Sequence, residues 1–121
     1  MGKEPKLTKC CEIPKGWGRE LVIHNCHKYC GKILEFRAGC RFSMHYHMVK
    51  QETWFVRVGE FIFNWIDTER GVEHTRSLAP GDVVEIPTGM PHQLHALTDG
   101  EIIEVSTEHF DHDSYRIKKG N

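Results

Sequence analysis

Apolar and polar positions alternate over short stretches of this chain and are then interrupted by turn residues. No stretch keeps the 3.6-residue spacing of an amphipathic helix for ten residues. The alternation predicts strands over 17–23, 29–37, 42–47, 52–58, 61–66, 73–78, 83–86, 92–97 and 101–107. Turn signals fall between them: Ala38-Gly39, Gly59-Glu60, Gly71, Pro80-Gly81, Pro87 to Pro91, and Asp99-Gly100. Residues 1–15 are polar, carry two prolines and show no period, so they read as an arm or an edge strand. Residues 108–121 form a polar tail. Strands recurring every 8–12 residues are the mark of an all-β sandwich or barrel.

Length and charge narrow this further. The 121 residues hold one domain, placed at 16–121 after the arm. With 39% hydrophobic and 27% charged residues the chain is expected to fold. A net charge of −1 leaves no basic field for phosphate backbones, so no nucleic-acid partner is expected. No apolar run reaches the roughly 18–20 residues of a membrane span, so no membrane partner is expected either. The N-terminal residues lack the apolar centre of a signal peptide, and the five cysteines are odd in number. Together these features predict reduced thiols and a cytoplasmic protein. Cys26 and Cys30 have a spacing that zinc tolerates, but only the neighbours Cys10 and Cys11 are present to complete a tetrahedral set.

The candidate chemistry lies between Gly39 and Gly59. His45 and His47 stand two apart, so on a strand they face the same way while Tyr46 faces the other. A turn over 48–51 would bring Glu52 back beside them. Two imidazoles and a carboxylate, joined by His92 from a later strand, suit one divalent transition metal (Zn, Mn, Fe or Ni) with positions left open. His95 falls on the opposite face from His92, and Phe61, Phe63 and Trp65 share one strand face that reads as packing.

Both segments resemble the two cupin motifs. Gly39, His45, His47, Glu52 and Gly59 match every specified position of the first, and Gly81, Pro87, Gly89 and His92 match the second, whose final Asn is Ala96 here. The resemblance implies a single-domain cupin, a double-stranded β-helix or jelly-roll barrel. A closer resemblance, over about residues 15–116, is to the cupin domain of type II mannose-6-phosphate (phosphomannose) isomerases. Trp17-Gly18, Lys32, Phe42-Ser43-Met44, Glu52-x-Trp54, Ile103-Glu104-Val105 and the acidic Asp111/Asp113 pair before Arg116 carry it. His45 stands where those proteins carry Gln, and Lys50 where they carry Arg.

This resemblance, with the residue chemistry, implies a metal-dependent isomerase that interconverts aldose and ketose forms of a sugar or sugar phosphate. His45, His47, Glu52 and His92 are the expected metal ligands. Glu104 is the expected proton-shuttling base, about as well read as a plain ion-pair partner, with Lys50 and His109 behind it. Lys32, Arg116 and Trp54 are the expected substrate contacts, the cations against a phosphate or sugar edge and the indole as pocket wall. Two alternatives stay open: an oxygen-dependent cupin dioxygenase, and a non-catalytic metal- or carbohydrate-binding cupin. A homodimer is also expected, because look-alike proteins often cover exposed edges with an added N-terminal strand.

Overall fold

Strict alternation of burial shows why these segments become strands and which face each turns inward. In β3 (Cys30–Phe36) the residues Cys30, Lys32, Leu34 and Phe36 are buried, while the three between them are half-exposed. β5 (Glu52–Val58) buries Glu52, Trp54 and Val56 in the same manner. The computed structural model describes residues 2–121, and those residues contain eleven strands and no helix. The others are β1 (Cys11–Lys15), β2 (Gly18–Asn25), β4 (Met44–Tyr46), β6 (Phe61–Asp67), β7 (Val72–Leu78), β8 (Val83–Ile86), β9 (His92–Ala96), β10 (Gly100–Ser106) and β11 (Tyr115–Lys118).

Two antiparallel sheets result, six strands in the order β1-β2-β3-β10-β5-β8 and five in the order β11-β4-β9-β6-β7. Their inner faces enclose one core of Trp17, Leu34, Phe36, Phe42, Trp54, Val56 and further apolar side chains from both sheets. Crossing between the sheets brings sequence-distant strands together, the arrangement expected of a jelly-roll barrel. Trp17 stacks on Phe36 with ring centroids 4.4 Å apart, and Phe36 meets Phe61 edge-on across the core at 5.3 Å.

The expected strands formed, with three refinements. Residues 11–15 pair with β2 as an edge strand, all five exposed. The strand expected over 42–47 is regular only over Met44–Tyr46, so His47 stands just beyond its end. The polar tail supplies β11, which pairs with β4 and sets Arg116 opposite His45. Tyr115 and Ile117 alternate with Arg116 and Lys118, but over only four residues within a polar tail, and all four stay exposed.

Candidate metal centre

The motif glycines set the backbone around the centre. Gly89 adopts φ +80°, a left-handed conformation that side chains disfavour, and its N–H donates to the carbonyl of His47 at 2.6 Å. One motif's turn thereby holds the other motif's histidine. His45 and His92 are direct cross-strand partners on β4 and β9, so both project from the same face. His47 follows at the end of β4, and Glu52 enters from the first position of β5 in the opposite sheet. The centre therefore spans the two layers.

Ligating atoms of His45, His47 and His92 lie within 4.8 Å of one another. Each ring has its Nδ1 against a backbone carbonyl: Ser43 at 2.7 Å for His45, Asp113 at 2.6 Å for His47, and Met90 at 2.8 Å for His92. A carbonyl can only accept, so each Nδ1 carries the proton and each Nε2 keeps a free lone pair. This is the second-sphere arrangement that prepares histidines for a metal. Glu52 Oε1 accepts the indole N–H of Trp54 at 2.7 Å, which aims Oε2 at the rings. Oε2 lies 3.2 Å from His47 Nε2 and 3.9 Å from His92 Nε2. Glu52 Oε2 and His92 Nε2 are both buried without a hydrogen-bond partner. Buried lone-pair atoms facing one another are costly unless a proton or a cation stands between them. Three nitrogens and a carboxylate oxygen, so arranged, fit a divalent transition metal.

The local electrostatics favour ligands free of protons. Burial, then the charges of His92 and His47, lowers His45 to about 3. Burial also lowers His92. Burial alone would raise the Glu52 carboxyl, but contact with His47 and the charge of Lys50 outweigh it, holding the group well below the carboxylate range.

Beside the ligands runs a buried ionic chain. Lys50 Nζ donates to Glu104 at 3.0 Å and sits 3.8 Å from Glu52 Oε2. On the inner face Glu104 is flanked in register by Lys32 of β3 and Trp54 of β5. Lys32 is itself paired with Glu20 at 3.1 Å. Burial, and then the Glu52 charge, raises the Glu104 carboxyl above its ordinary value despite Lys50 and Lys32. Burial opposes the Lys50 ammonium, yet the Glu104 and Glu52 charges raise it on balance. His109 extends the chain outward, Nδ1 3.4 Å from Lys50 Nζ and Nε2 3.1 Å from Asp111. Burial and the two lysines lower its pKa.

Contacts and strand register thus link all ten expected site residues, and the role expected of Trp54 is corrected. Trp54 is completely buried, so it cannot wall a substrate pocket; its indole orients Glu52 instead. Arg116 is exposed on the row of His45. His95 faces away from His92, and Phe61 and Phe63 are buried in the core, as expected. Among the described residues the cysteines form no metal cluster, and all five are free thiols.

Sequence reasoning missed the role of Asp113. Its buried carboxylate accepts the N–H groups of Met48, Val49 and Lys50 at 2.8–3.2 Å, while its carbonyl fixes His47. Burial opposes its charge, but these backbone donors keep its pKa low. Asn25 was missed as well; it exchanges two 2.9 Å hydrogen bonds with the backbone of His109. Membership of an acidic pair before Arg116 was the one mark on Asp113, and Asn25 had none.

The cupin-domain family matches residues 32–107, a span that contains all four expected ligands. The chain belongs to the cupins. Similar solved structures include CapF with the inhibitor 3-isopropenyl-tropolone, at TM-score 0.79 and 20% identity over 90% of this cupin and 34% of that chain. CapF of Staphylococcus aureus, described as a capsular polysaccharide assembling protein, aligns at TM-score 0.79 and 19% identity over 90% and 34%. Oxalate decarboxylase of Bacillus subtilis at pH 4.6 aligns at TM-score 0.80 and 16% identity over 89% and 30%. Mn(II) centres have been characterised in that decarboxylase. The cupin spans about a third of the length of these chains, and at such identity the likeness is one of fold. No curated protein matches it in sequence.

Proposed function

We propose that this cupin is a metal-dependent isomerase of sugars or sugar phosphates, acting on aldose–ketose pairs as its resemblance to the type II phosphomannose isomerases implies. Glu104 carries the reading: a buried carboxylate, 3.0 Å from Lys50 and held above its ordinary pKa, beside the four expected ligands. A structural ion pair has no need of a carboxyl poised to gain and lose a proton, whereas a base does.

His45, His47, Glu52 and His92 would hold the divalent ion. When bound, that ion supplies Lewis-acid polarisation of the substrate carbonyl. Glu104 takes the proton from the carbon beside the carbonyl and returns it to the former carbonyl carbon, while the proton of the neighbouring hydroxyl passes to the former carbonyl oxygen, so a new carbonyl forms and the base ends as it began. Lys50 anchors Glu104 and offers N–H donors to the substrate oxygens, with His109 behind it. Lys32, tied to Glu20, lies beside Glu104 in register, and exposed Arg116 is the cation to take a phosphate as a two-pronged donor. The five free thiols support a cytoplasmic setting.

Incubation of metal-loaded protein with mannose 6-phosphate, fructose 6-phosphate or free pentoses in deuterium oxide tests the reading. Solvent deuterium is expected at the carbon beside the carbonyl, lost in Glu104→Gln with metal content unchanged. Absence of exchange and product with every sugar, with oxygen uptake by an iron-loaded sample, would assign the site to oxygen chemistry instead. Sugar binding without exchange or oxygen uptake would leave a binding protein.

A further inference from the structure

A substrate that gives its proton to Glu104 must reach a carboxylate that is 5% exposed, with Lys32 and Lys50 beside it at 4% each. Register explains what covers these groups. Asn25, Cys30 and Ser106 stand in one row across the ends of β2, β3 and β10. The chain leaves β10 at Ser106 and three residues later meets β2 again. There the Asn25 side chain accepts the His109 N–H and donates to the His109 carbonyl, both at 2.9 Å. Strands lie ~4.8 Å apart, so β10 and β2, which flank β3, are separated by roughly 10 Å. Three residues span at most about 10 Å. Residues 107–109 therefore run nearly extended across β3 at Cys30, whose thiol is buried beneath them. From this crossing the His109 ring reaches to 3.4 Å from Lys50 Nζ.

We infer that residues 107–112 form a lid over Glu104, with Asn25 as its latch. Both ends of the segment are fixed. At one, Thr107 and Gln51 exchange two 3.0 Å hydrogen bonds; at the other, Asp113 is held by the 48–50 turn. Between these anchors, among the described residues, the hydrogen bonds from 108–112 to the strands and turns around them are the Asn25 pair and the His109–Lys50 contact. Asn25 is exposed, so water replaces its two bonds at small cost and the segment lifts without disturbing either sheet. Shut, the lid keeps water from Glu104 and seats His109 against Lys50; lifted, it uncovers the inner face for a ligand. That the ligand is a sugar rests on the isomerase reading above, whereas the lid rests on the crossing of β3 and the burial beneath it.

Alkylation of the full chain by N-ethylmaleimide, followed cysteine by cysteine with mass spectrometry, tests the inference. Buried Cys30 is expected to react far more slowly than exposed Cys11 in the wild type. Asn25→Ala is expected to speed the reaction of Cys30 about tenfold, the effect of losing two modest hydrogen bonds. Half-buried Cys40, in the turn after β3, is expected to react as before. Asn25→Asp, which keeps the acceptor for the His109 N–H, is expected to fall between the two. Amide hydrogen exchange is expected to quicken over 107–112 in Asn25→Ala and to stay unchanged over β2 and β3. Wild-type Cys30 labelled as fast as Cys11, or a Cys30 rate untouched by Asn25→Ala, overturns the inference. Faster exchange throughout β2 and β3 overturns it as well, because the hairpin itself would then be fraying. None of these measurements needs a sugar, so they stand apart from the deuterium test of the isomerase reading, and either can fail without the other.

Discussion

Tryptophan 54 shows how one side chain joins stability and chemistry. Its ring fills the core between Phe42, Phe63 and His92, while its N–H fixes one oxygen of Glu52 and leaves the other facing the rings of His47 and His92. Phenylalanine would keep most of the packing and remove only that hydrogen bond. Trp54→Phe is therefore expected to weaken metal affinity about 10–100-fold with a modest loss of stability, measured by competitive chelator titration. Unchanged affinity would mean that Glu52 needs no such restraint. The candidate ligands were legible in the sequence, because His45, His47, Glu52 and His92 stand at motif spacing. The restraint on Glu52 was not. A tryptophan two residues along a strand from a carboxylate signals only a shared face, and whether it lines a pocket or is buried depends on what the other sheet sets against it.

Among the elements, the C-terminal segment carries an unexpected weight. Asp113 acts as a buckle across the 48–50 turn, so the tail determines where His47 points. Removing its carboxylate leaves the N–H groups of Met48, Val49 and buried Lys50 without their acceptor, which costs about 1–3 kcal/mol. Asp113→Ala is expected to lower the urea midpoint accordingly and to weaken metal binding, while Asp113→Asn, which keeps one acceptor oxygen, is expected to restore part of both. An Ala variant with wild-type metal affinity would show the turn to be held by other means. Most strands could be read from alternation, since one face of each is buried and the other is not. β11 could not, because its four residues lie exposed at a sheet edge, too short a run for alternation to stand out, and its place beside β4, with Tyr115 stacked on Tyr46, appears only in the fold.

At the scale of the whole molecule, acid should be the solvent condition to which the metal-free protein is most sensitive. His45 and His92 have lowered pKa values in the fold, so the unfolded chain takes up protons near pH 6.5 that the folded chain refuses until about pH 3 at His45. Glu52 and Asp113, also lowered, contribute stability that is present above their unfolded values and lost as pH falls. Both effects have the same sign, and the raised Glu104 opposes them only above its ordinary pKa. Urea midpoints of metal-free protein are expected to fall steadily from pH 7 to pH 4; a flat profile would refute this account of the buried ligands. The global fold was the most legible level, since two ordered motifs and strand spacing define it.

Everything chemical in this account depends on the four-residue centre, and metal stoichiometry tests it most directly. Protein stripped with a chelator, reloaded with a divalent transition metal and desalted is expected to retain one ion per chain by elemental analysis. His47→Ala and His92→Ala are each expected to retain almost none while remaining folded by circular dichroism. Wild-type protein that holds no ion, or either variant holding a full equivalent, would contradict the assignment.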